Sequence, residues 1–174
     1  IFLKKLTNLM EYHNFLLKEY FHTETIDINR TIDETINKYE RVAPFIIDTD
    51  EYINDLCKTG GVVFEGAQGT MLDIDHGTFP YVTSSNTTLS GVVSGTGINM
   101  SLIKYGLGIT KAYSTRVGHG PFPSELKNDI GERIGNIGGE IGATTGRTRR
   151  CGWLDLKVLK KSIRLNNLSG IALT

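Results

Sequence analysis

The first third of the chain has the apolar periodicity of amphipathic helices. Hydrophobic side chains recur at steps of three and four residues over positions 6–20, which predicts a first helix. A second stripe occupies positions 28–39, and Pro44 predicts its end. A third, shorter helix is expected over 48–59, between an aspartate that can cap it and a glycine pair that can terminate it.

The pattern changes after residue 61. Residues 62–64 (VVF) form a short continuous apolar run, which predicts a strand buried on both faces, and a glycine-rich turn follows at 65–69 (EGAQG). A second strand is predicted over 108–117, where β-branched and aromatic side chains are frequent. The long stretch between them is rich in Gly, Ser, Thr and Asn, and its interspersed apolar residues favour a system of functional loops.

The last third alternates helix and strand signals. Residues 124–134 predict a short helix, Asp155 begins a further helix, and residues 171–173 start another buried strand. Strand, helix and strand joined by short connections predict an α/β fold with a mostly parallel central sheet flanked by helices. The chain is expected to be a single partial domain, helical over 1–60 and with a sheet core over 61–174.

Charge and cysteine content restrict the classes of function. The chain has 19 Lys plus Arg against 19 Asp plus Glu, so its net charge is zero, whereas a general nucleic-acid binder usually has a basic excess. Cys57 and Cys151 belong to no C-x-x-C pair and predict neither a disulfide framework nor a zinc site. No apolar run reaches the ~18 residues of a transmembrane helix, and no signal segment opens the chain. We therefore expect a cytoplasmic protein.

One loop has the composition of an anion-binding site. Residues 142–150 (GATTGRTRR) place two hydroxyls and a glycine before three arginines. Glycine lets the backbone approach a ligand, threonine donates hydrogen bonds, and guanidinium groups bind carboxylate or phosphate bidentately. The pattern predicts a loop that holds anions. A solvated arginine cluster or a nuclear-import patch is the alternative interpretation.

Residues 65–88 contain a second candidate site. Gln68 follows the predicted strand end, and residues 83–88 (TSSNTT) form a run of neutral hydrogen-bonding side chains. A purine nucleotide presents ring and phosphate acceptors that such donors can satisfy in a partly dry pocket. Turn formation and helix capping would explain the same run equally well.

Two other sets of polar side chains lack the pattern of a functional site. Asp73, Asp75 and His76 bring two carboxylates and an imidazole together, but their spacing matches no standard metal loop, so no metal site is predicted. His119 lies between two glycines and has no acid or base partner visible in the sequence.

Several ordered blocks of the sequence resemble adenylosuccinate synthetase. The blocks are residues 64–70 (FEGAQGT), 72–78 (LDIDHGT), 81–88 (YVTSSNTT), 111–118 (KAYSTRVG), 120–123 (GPFP) and 142–155 (GATTGRTRRCGWLD). The opening helix, with MEYHNF at 10–15, is similar to the bacterial form of the enzyme. Because the blocks are long and keep their order over nearly the whole chain, chance agreement is far less likely than for a single short motif.

The resemblance implies a two-step ligation in AMP biosynthesis. GTP phosphorylates the six-oxygen of inosine monophosphate (IMP), and the amine of L-aspartate then displaces that phosphate, giving adenylosuccinate, GDP and phosphate. It also implies Mg²⁺, GTP as co-substrate and a large central sheet related to P-loop GTPase-like folds. The family enzyme is a homodimer, in which an arginine from one subunit reaches the IMP phosphate of the other.

Matching positions imply roles for particular residues. Gln68 would hydrogen-bond IMP near the reacting oxygen, Thr83 would hold its phosphate, and Val117 would contact the ribose through its backbone. The aspartate-binding loop would comprise Ala143, Thr144, Thr145, Gly146, Arg147, Thr148 and Arg149. Within that loop, Arg147 would reach both aspartate and IMP, and Arg149 would reach aspartate and GTP. Thr148 stands where members of the family often have a basic residue or proline, and Arg150 receives no role.

The family's other functional elements have no counterpart in this sequence. In the family, the general-base aspartate, the glycine-rich phosphate loop, the general-acid histidine and the magnesium site precede the matching segment, and the guanine-recognition element follows it. The magnesium ligands are therefore expected outside this chain, and the chain alone is expected to be inactive. Two other functions remain open: a purine-binding relative without transfer chemistry, and an RNA-binding segment that uses the arginines of 147–150, against which the zero net charge counts.

Overall fold

A computed structural model describes residues 1–142 and 146–174 of the chain. These residues form two compact units, residues 1–48 and residues 49–174. Both candidate sites lie in the second unit. The expectation of a single partial domain divided at residue 60 stays a prediction.

The first unit is helical. Helix α1 (Phe2–Phe15) continues as a π-helical turn (Leu16–Tyr20), and helix α2 (Ile28–Val42) ends in a 3₁₀ turn (Ala43–Phe45). The carboxylate of Asp27 caps α2 by accepting a hydrogen bond from the Arg30 amide at 3.0 Å. The Asn14 side chain both donates to and accepts from the backbone of Ile26, at 2.8 Å each, which fixes the connection between the helices. The predicted first two helices are confirmed.

The second unit combines helices with short strands. Its helices are α3 (Thr49–Thr59), α4 (Leu89–Thr96), α5 (Asp129–Ile137) and α6 (Leu156–Leu165). Its strands are β1 (Leu107–Thr110), β2 (Tyr113–Arg116), β3 (Arg150–Trp153) and β4 (Gly170–Leu173). Short 3₁₀ turns occur at Thr70–Leu72 and Met100–Leu102. Within the described ranges, no helix is both long and apolar enough to cross a membrane.

The strands pair in two ways. β1 pairs in parallel with β4, with Leu107 opposite Gly170 and Thr110 opposite Leu173. β2 pairs antiparallel with β3, which places Arg116 opposite Arg150. Because α6 connects β3 to β4, the chain has the strand, helix and strand order from which the α/β class was predicted, and that class is confirmed.

One predicted strand does not form. Residues 62–64 have no regular secondary structure, and the Val63 side chain is 92% exposed. A strand exists only through hydrogen bonds to a neighbouring strand, and the described residues provide none at this segment. The predicted strand over 108–117 is likewise interrupted at residues 111–112, so that its halves, β1 and β2, belong to different sheets.

Helix α5 begins later than the predicted Ser124. Its N-cap is Asn128, whose side-chain oxygen accepts a hydrogen bond from the Gly131 amide at 3.2 Å. Helix α6 begins where the sequence predicts. Its N-cap is Asp155, which accepts hydrogen bonds from the amides of Lys157 at 2.9 Å and Val158 at 3.1 Å.

Candidate functional site

Gln68 borders an open cleft of about 380 Å³. The cleft is lined by residues 63–68, residues 85–88 and the helix α4 residues Gly91, Val92 and Thr96. Gln68 adopts a left-handed backbone conformation with φ of +59°, which is unfavourable for a residue with a side chain. Backbone strain of this kind is concentrated at functional sites, so it adds a structural reason to regard Gln68 as a ligand-binding residue.

The loop that carries the neutral side chains is organised around a buried carboxylate, Asp73, which is 0% exposed. Its Oδ1 accepts hydrogen bonds from the amides of Asp75 at 3.0 Å and His76 at 2.9 Å. Its Oδ2 accepts hydrogen bonds from the amides of Thr87 at 2.7 Å and Thr88 at 3.3 Å. Asp73 therefore holds the two ends of the loop 73–88 together.

The same hydrogen bonds explain the ionisation of Asp73. Burial alone would raise the pKa of this carboxyl, but the four backbone N–H donors outweigh burial and lower the pKa below its ordinary value.

Both carboxylate oxygens of Asp73 are occupied by backbone amides, and Asp75 accepts a hydrogen bond from the Asn86 side chain at 2.6 Å. No group of three His, Cys, Asp or Glu side chains in residues 1–142 and 146–174 is placed to hold a metal ion.

Arg116 connects the segments that carry Thr83 and Val117. Its Nη2 donates to the Thr78 hydroxyl at 3.0 Å and to the Tyr81 carbonyl at 3.2 Å, and its Nε donates to the His119 carbonyl at 2.9 Å. Burial and the nearby Arg150 charge lower the Arg116 pKa. The half-buried Thr83 is fixed by its own amide, which donates to the Leu72 carbonyl at 2.8 Å, while Val117 is 46% exposed.

Arg150, to which the sequence assigned no role, supports the adjacent turn. Its Nε and Nη2 form a bidentate pair with the Glu125 carboxylate at 2.7 and 2.6 Å. Its Nη1 donates to the carbonyls of Gly118 at 3.0 Å and Gly120 at 3.1 Å. Both glycines have positive φ, +71° and +112°, so the turn needs glycine at these positions as well as the arginine. The contacts indicate a structural role for Arg150.

The arginine loop is closed at its base by backbone hydrogen bonds. The Gly142 amide donates to the Arg147 carbonyl at 2.8 Å, and the Arg149 amide donates to the Glu140 carbonyl at 2.9 Å. Ile141 and Thr148 form an isolated antiparallel bridge between these two bonds. We call residues 140–142 and 147–149 the loop base. Ala143, Thr144 and Thr145 lie outside the described residues, and the described Gly146 has a φ of +64°.

A buried carboxylate, Glu140, lies at the loop base and is 3% exposed. Its Oε1 accepts hydrogen bonds from Lys111 Nζ at 2.6 Å and from the Tyr113 hydroxyl at 2.5 Å, and its Oε2 accepts one from Arg149 Nη1 at 2.8 Å. Burial alone would raise the pKa of Glu140, but the bonds from Lys111, Tyr113 and Arg149 lower it to about 2. The Tyr113 pKa is raised, chiefly by its hydrogen bond to the Glu140 carboxylate and secondly by burial.

No local sequence pattern marks Glu140 as a site residue. Its donors Lys111 and Tyr113 are 29 and 27 residues away along the chain, so only the fold brings them together. The nearest sequence signal is its position just before the arginine loop, where a carboxylate could pair with an arginine.

Predicted site residues line two separate clefts. Gln68 lines the cleft described above, whereas Thr148 and Arg149 line a second cleft of about 530 Å³ beside α5 and β3. Arg116 brings the Thr83 and Val117 segments to each other. The arrangement can hold anions through guanidinium groups at one place and a polar ring through neutral donors at the other.

A family comparison matches the whole chain. The family model for adenylosuccinate synthetase matches residues 1–174. The chain belongs to the adenylosuccinate synthetase family. Among the curated relatives, the adenylosuccinate synthetase of Azotobacter vinelandii is 51% identical over 174 residues, covering 99% of this chain and 40% of the relative. That of Legionella pneumophila (strain Lens) is also 51% identical with the same coverage.

One solved structure supports this membership, and a second shares only the fold. The fully ligated adenylosuccinate synthetase from Plasmodium falciparum superposes with a TM-score of 0.86 and 39% identity, covering 99% of this chain and 40% of that one. A cyanophage S-2L succinoaminodeoxyadenylate synthetase, bound to dGMP and dATP as an energy donor, has a TM-score of 0.60 at 20% identity and shares the fold. The chain spans 40% of the length of the adenylosuccinate synthetases it matches.

Proposed function

We propose that the protein of complete natural length is an adenylosuccinate synthetase, which ligates L-aspartate to IMP at the expense of GTP in AMP biosynthesis. The observation that supports the proposal most strongly is the match of the family model to every residue from 1 to 174. This chain would supply binding surfaces for IMP and aspartate. No step of the proposal is assigned to a metal held by this chain, and among the described residues no three His, Cys, Asp or Glu side chains are grouped to hold one.

The first step of the proposed reaction makes a leaving group on the purine ring. The γ-phosphoryl group of GTP is transferred to the six-oxygen of IMP, which leaves GDP. Gln68 would hydrogen-bond the ring near that oxygen, Thr83 would bind the nucleotide phosphate, and Val117 would contact the ribose through its backbone. The links made by Asp73 and Arg116 within residues 73–120 support this arrangement, since they fix the segments that carry Thr83 and Val117.

The second step joins the amino acid. The aspartate amine attacks C6 of the ring, the C–N bond forms, and the phosphate bonded through the six-oxygen leaves as inorganic phosphate. Arg147 would bind aspartate and IMP, and Arg149 would bind aspartate and GTP. The loop residues Ala143, Thr144, Thr145, Gly146 and Thr148 would close over the amino acid. Guanidinium groups suit this role because they bind carboxylates bidentately.

The wider context belongs to the same proposal. A second subunit would contribute an arginine to the IMP phosphate, so the active form would be a homodimer that also uses Mg²⁺. Cys57 and Cys151 are both free thiols, which fits a cytoplasmic location.

The ligase proposal is tested with the purified protein of complete natural length. Adenylosuccinate, GDP and phosphate are expected to form in equal amounts from GTP, IMP and aspartate, and omission of any substrate should prevent formation of adenylosuccinate. An absence of adenylosuccinate under these conditions would contradict the proposal.

The role of Gln68 is tested by an isosteric change. Gln68→Glu replaces an amide donor by a carboxylate and is expected to lower kcat/KM for IMP at least about tenfold, since a charge would face the ring oxygen. Asn37→Asp makes the same chemical change at an exposed position on helix α2 and is the matched control. Equal, small effects of the two substitutions would exclude the proposed contact without affecting the ligase assignment.

A further inference from the structure

We propose that Glu140 is a positioning residue that orients Arg149 toward the aspartate carboxylate. This inference rests on the proposed function of the loop. Glu140 is buried at the loop base and bonds Arg149 twice, through its backbone carbonyl at 2.9 Å and through its side chain at 2.8 Å. Arg149 is therefore restrained at both its backbone and its guanidinium.

The two oxygens of Glu140 have different partners. Oε1 accepts from Lys111 and Tyr113, which precede and begin strand β2, and so fixes the plane of the carboxylate against the sheet. Oε2 is thereby presented to Arg149 as an acceptor in a fixed position. A guanidinium with one edge held in this way loses less conformational entropy when it binds a second carboxylate.

Arg149 remains accessible to a ligand. Its side chain is 32% exposed and lines the cleft beside α5 and β3. A guanidinium has five N–H donors, and the bond to Glu140 uses Nη1. The guanidinium can therefore be held by Glu140 while other donors remain for an anion.

The charges of the cluster also favour an anionic ligand. Lys111 and Arg149 both contact the single carboxylate of Glu140, at 2.6 and 2.8 Å, so the cluster keeps a positive charge. Glu140 is ionised at neutral pH because its pKa is about 2. It is therefore unsuited to be a general acid or base, and its contacts point to orientation.

The test uses Glu140→Gln in the protein of complete natural length. The amide keeps the shape of the carboxylate but removes its charge, so Arg149 is expected to lose its fixed orientation. We expect KM for aspartate to rise about tenfold or more, with a smaller change in kcat and KM for IMP within about twofold. An unchanged KM for aspartate would overturn the inference.

Tyr113→Phe is the matched control. It removes one of the two donors to Oε1, but Lys111 still fixes the carboxylate and the Arg149 contact remains, so KM for aspartate is expected to change less than about threefold. If Tyr113→Phe raised KM for aspartate as much as Glu140→Gln did, general disruption of the buried cluster would explain both results, and the inference would be overturned.

A double-mutant cycle with Arg149→Lys separates positioning from other effects. If Glu140 acts through Arg149, adding Glu140→Gln to Arg149→Lys should change KM for aspartate by less than about twofold. If each substitution instead raised KM for aspartate by its own factor, and the two factors multiplied in the double variant, the inference would be overturned. Thermal unfolding identifies any variant that does not fold. If Glu140→Gln is such a variant, Glu140→Asp, which keeps the charge but withdraws it by one methylene, replaces it with the same expected rise and the same criterion.

The result also separates this inference from the proposed function. A wild-type protein that forms no adenylosuccinate contradicts both. A wild-type protein that forms it, together with a Glu140→Gln variant of normal KM for aspartate, contradicts the positioning role alone.

Discussion

At the scale of single residues, two buried carboxylates organise the second unit by different means. Asp73 is held by four backbone N–H groups, whereas Glu140 is held by three side chains. In both, hydrogen bonds to the charged form outweigh the effect of burial, and the pKa falls. Each carboxylate is stable only with its donors in place, so each connects segments that are distant in sequence.

Replacing Asp73 by Asn should destabilise the protein. An amide presents N–H donors where Thr87 and Thr88 also donate, so those hydrogen bonds are lost and buried donors remain unpaired. The expected loss in free energy of unfolding is about 3 kcal/mol. Urea unfolding measures it, with Asp129→Asn, an exposed residue in the first turn of α5, as the control. Equal stabilities of the two variants would contradict this explanation of Asp73.

The pH dependence of stability should report Glu140. Its pKa is lower in the folded than in the unfolded chain, so the unfolded chain binds more protons at acid pH, and stability falls as pH decreases. The contribution of Glu140 is complete above its ordinary pKa of 4.5 and is lost down to about 2. Urea midpoints between those pH values should therefore fall more steeply for wild type than for Glu140→Gln. Parallel profiles would contradict the lowered pKa.

At the scale of elements, helix ends depend on residues nearby in the sequence, whereas strands depend on residues far away in it. Helices α2, α5 and α6 each begin at an Asp or Asn whose side chain accepts hydrogen bonds from the first turn. The strands instead depend on distant partners, as in β1 with β4 and β2 with β3. Helix boundaries can therefore be tested by single local substitutions.

Asp155→Ala should shorten helix α6. The amides of Lys157 and Val158 lose their acceptor, which should cost about 1 kcal/mol in the free energy of unfolding. Hydrogen exchange at these two amides should become faster, whereas Lys160→Ala, at an exposed position within the helix, should leave them protected. Unchanged exchange at Lys157 and Val158 would contradict the capping role.

At the scale of the whole molecule, the chain presents apolar side chains at the surface. Val63 is 92% exposed and Ile109, in strand β1, is 75% exposed. Apolar strand residues usually pack against another layer of structure. The chain also spans 40% of the length of its relatives. Both observations fit a chain that is part of a longer protein.

The isolated 174-residue chain is therefore expected to form adenylosuccinate far more slowly than the complete protein, or not at all. The reason is that the chain spans 40% of the length of the adenylosuccinate synthetases it matches, so most of the length over which those proteins build their sites is missing. Single-turnover mixing of the purified chain with GTP, IMP and aspartate measures this, with the complete protein as the control. Product formation at the same rate in both would contradict the expectation.

Local signals allowed much of the fold to be predicted from the sequence, and non-local contacts explain the remainder. The helix beginning at Asp155 was predicted because its cap and apolar stripe are adjacent in sequence. The prediction of a strand at 62–64 was wrong because a strand forms only when a neighbouring strand can hydrogen-bond to it. The roles of Gln68 and Arg149 stay predictions. The role of Glu140 could not be predicted from the sequence, because its donors Lys111 and Tyr113 are distant along the chain.

The consecutive arginines at the base of the loop have separate partners, Arg149 with Glu140 and Arg150 with Glu125. A single residue inserted between Arg150 and Cys151 would turn both guanidiniums to the opposite sides of the strand, because neighbouring side chains of an extended chain alternate. Changes in chain length should therefore be rejected over 149–151, because both arginines would lose their carboxylate partners. An engineered variant with one residue added there is expected to lose both ion pairs at once.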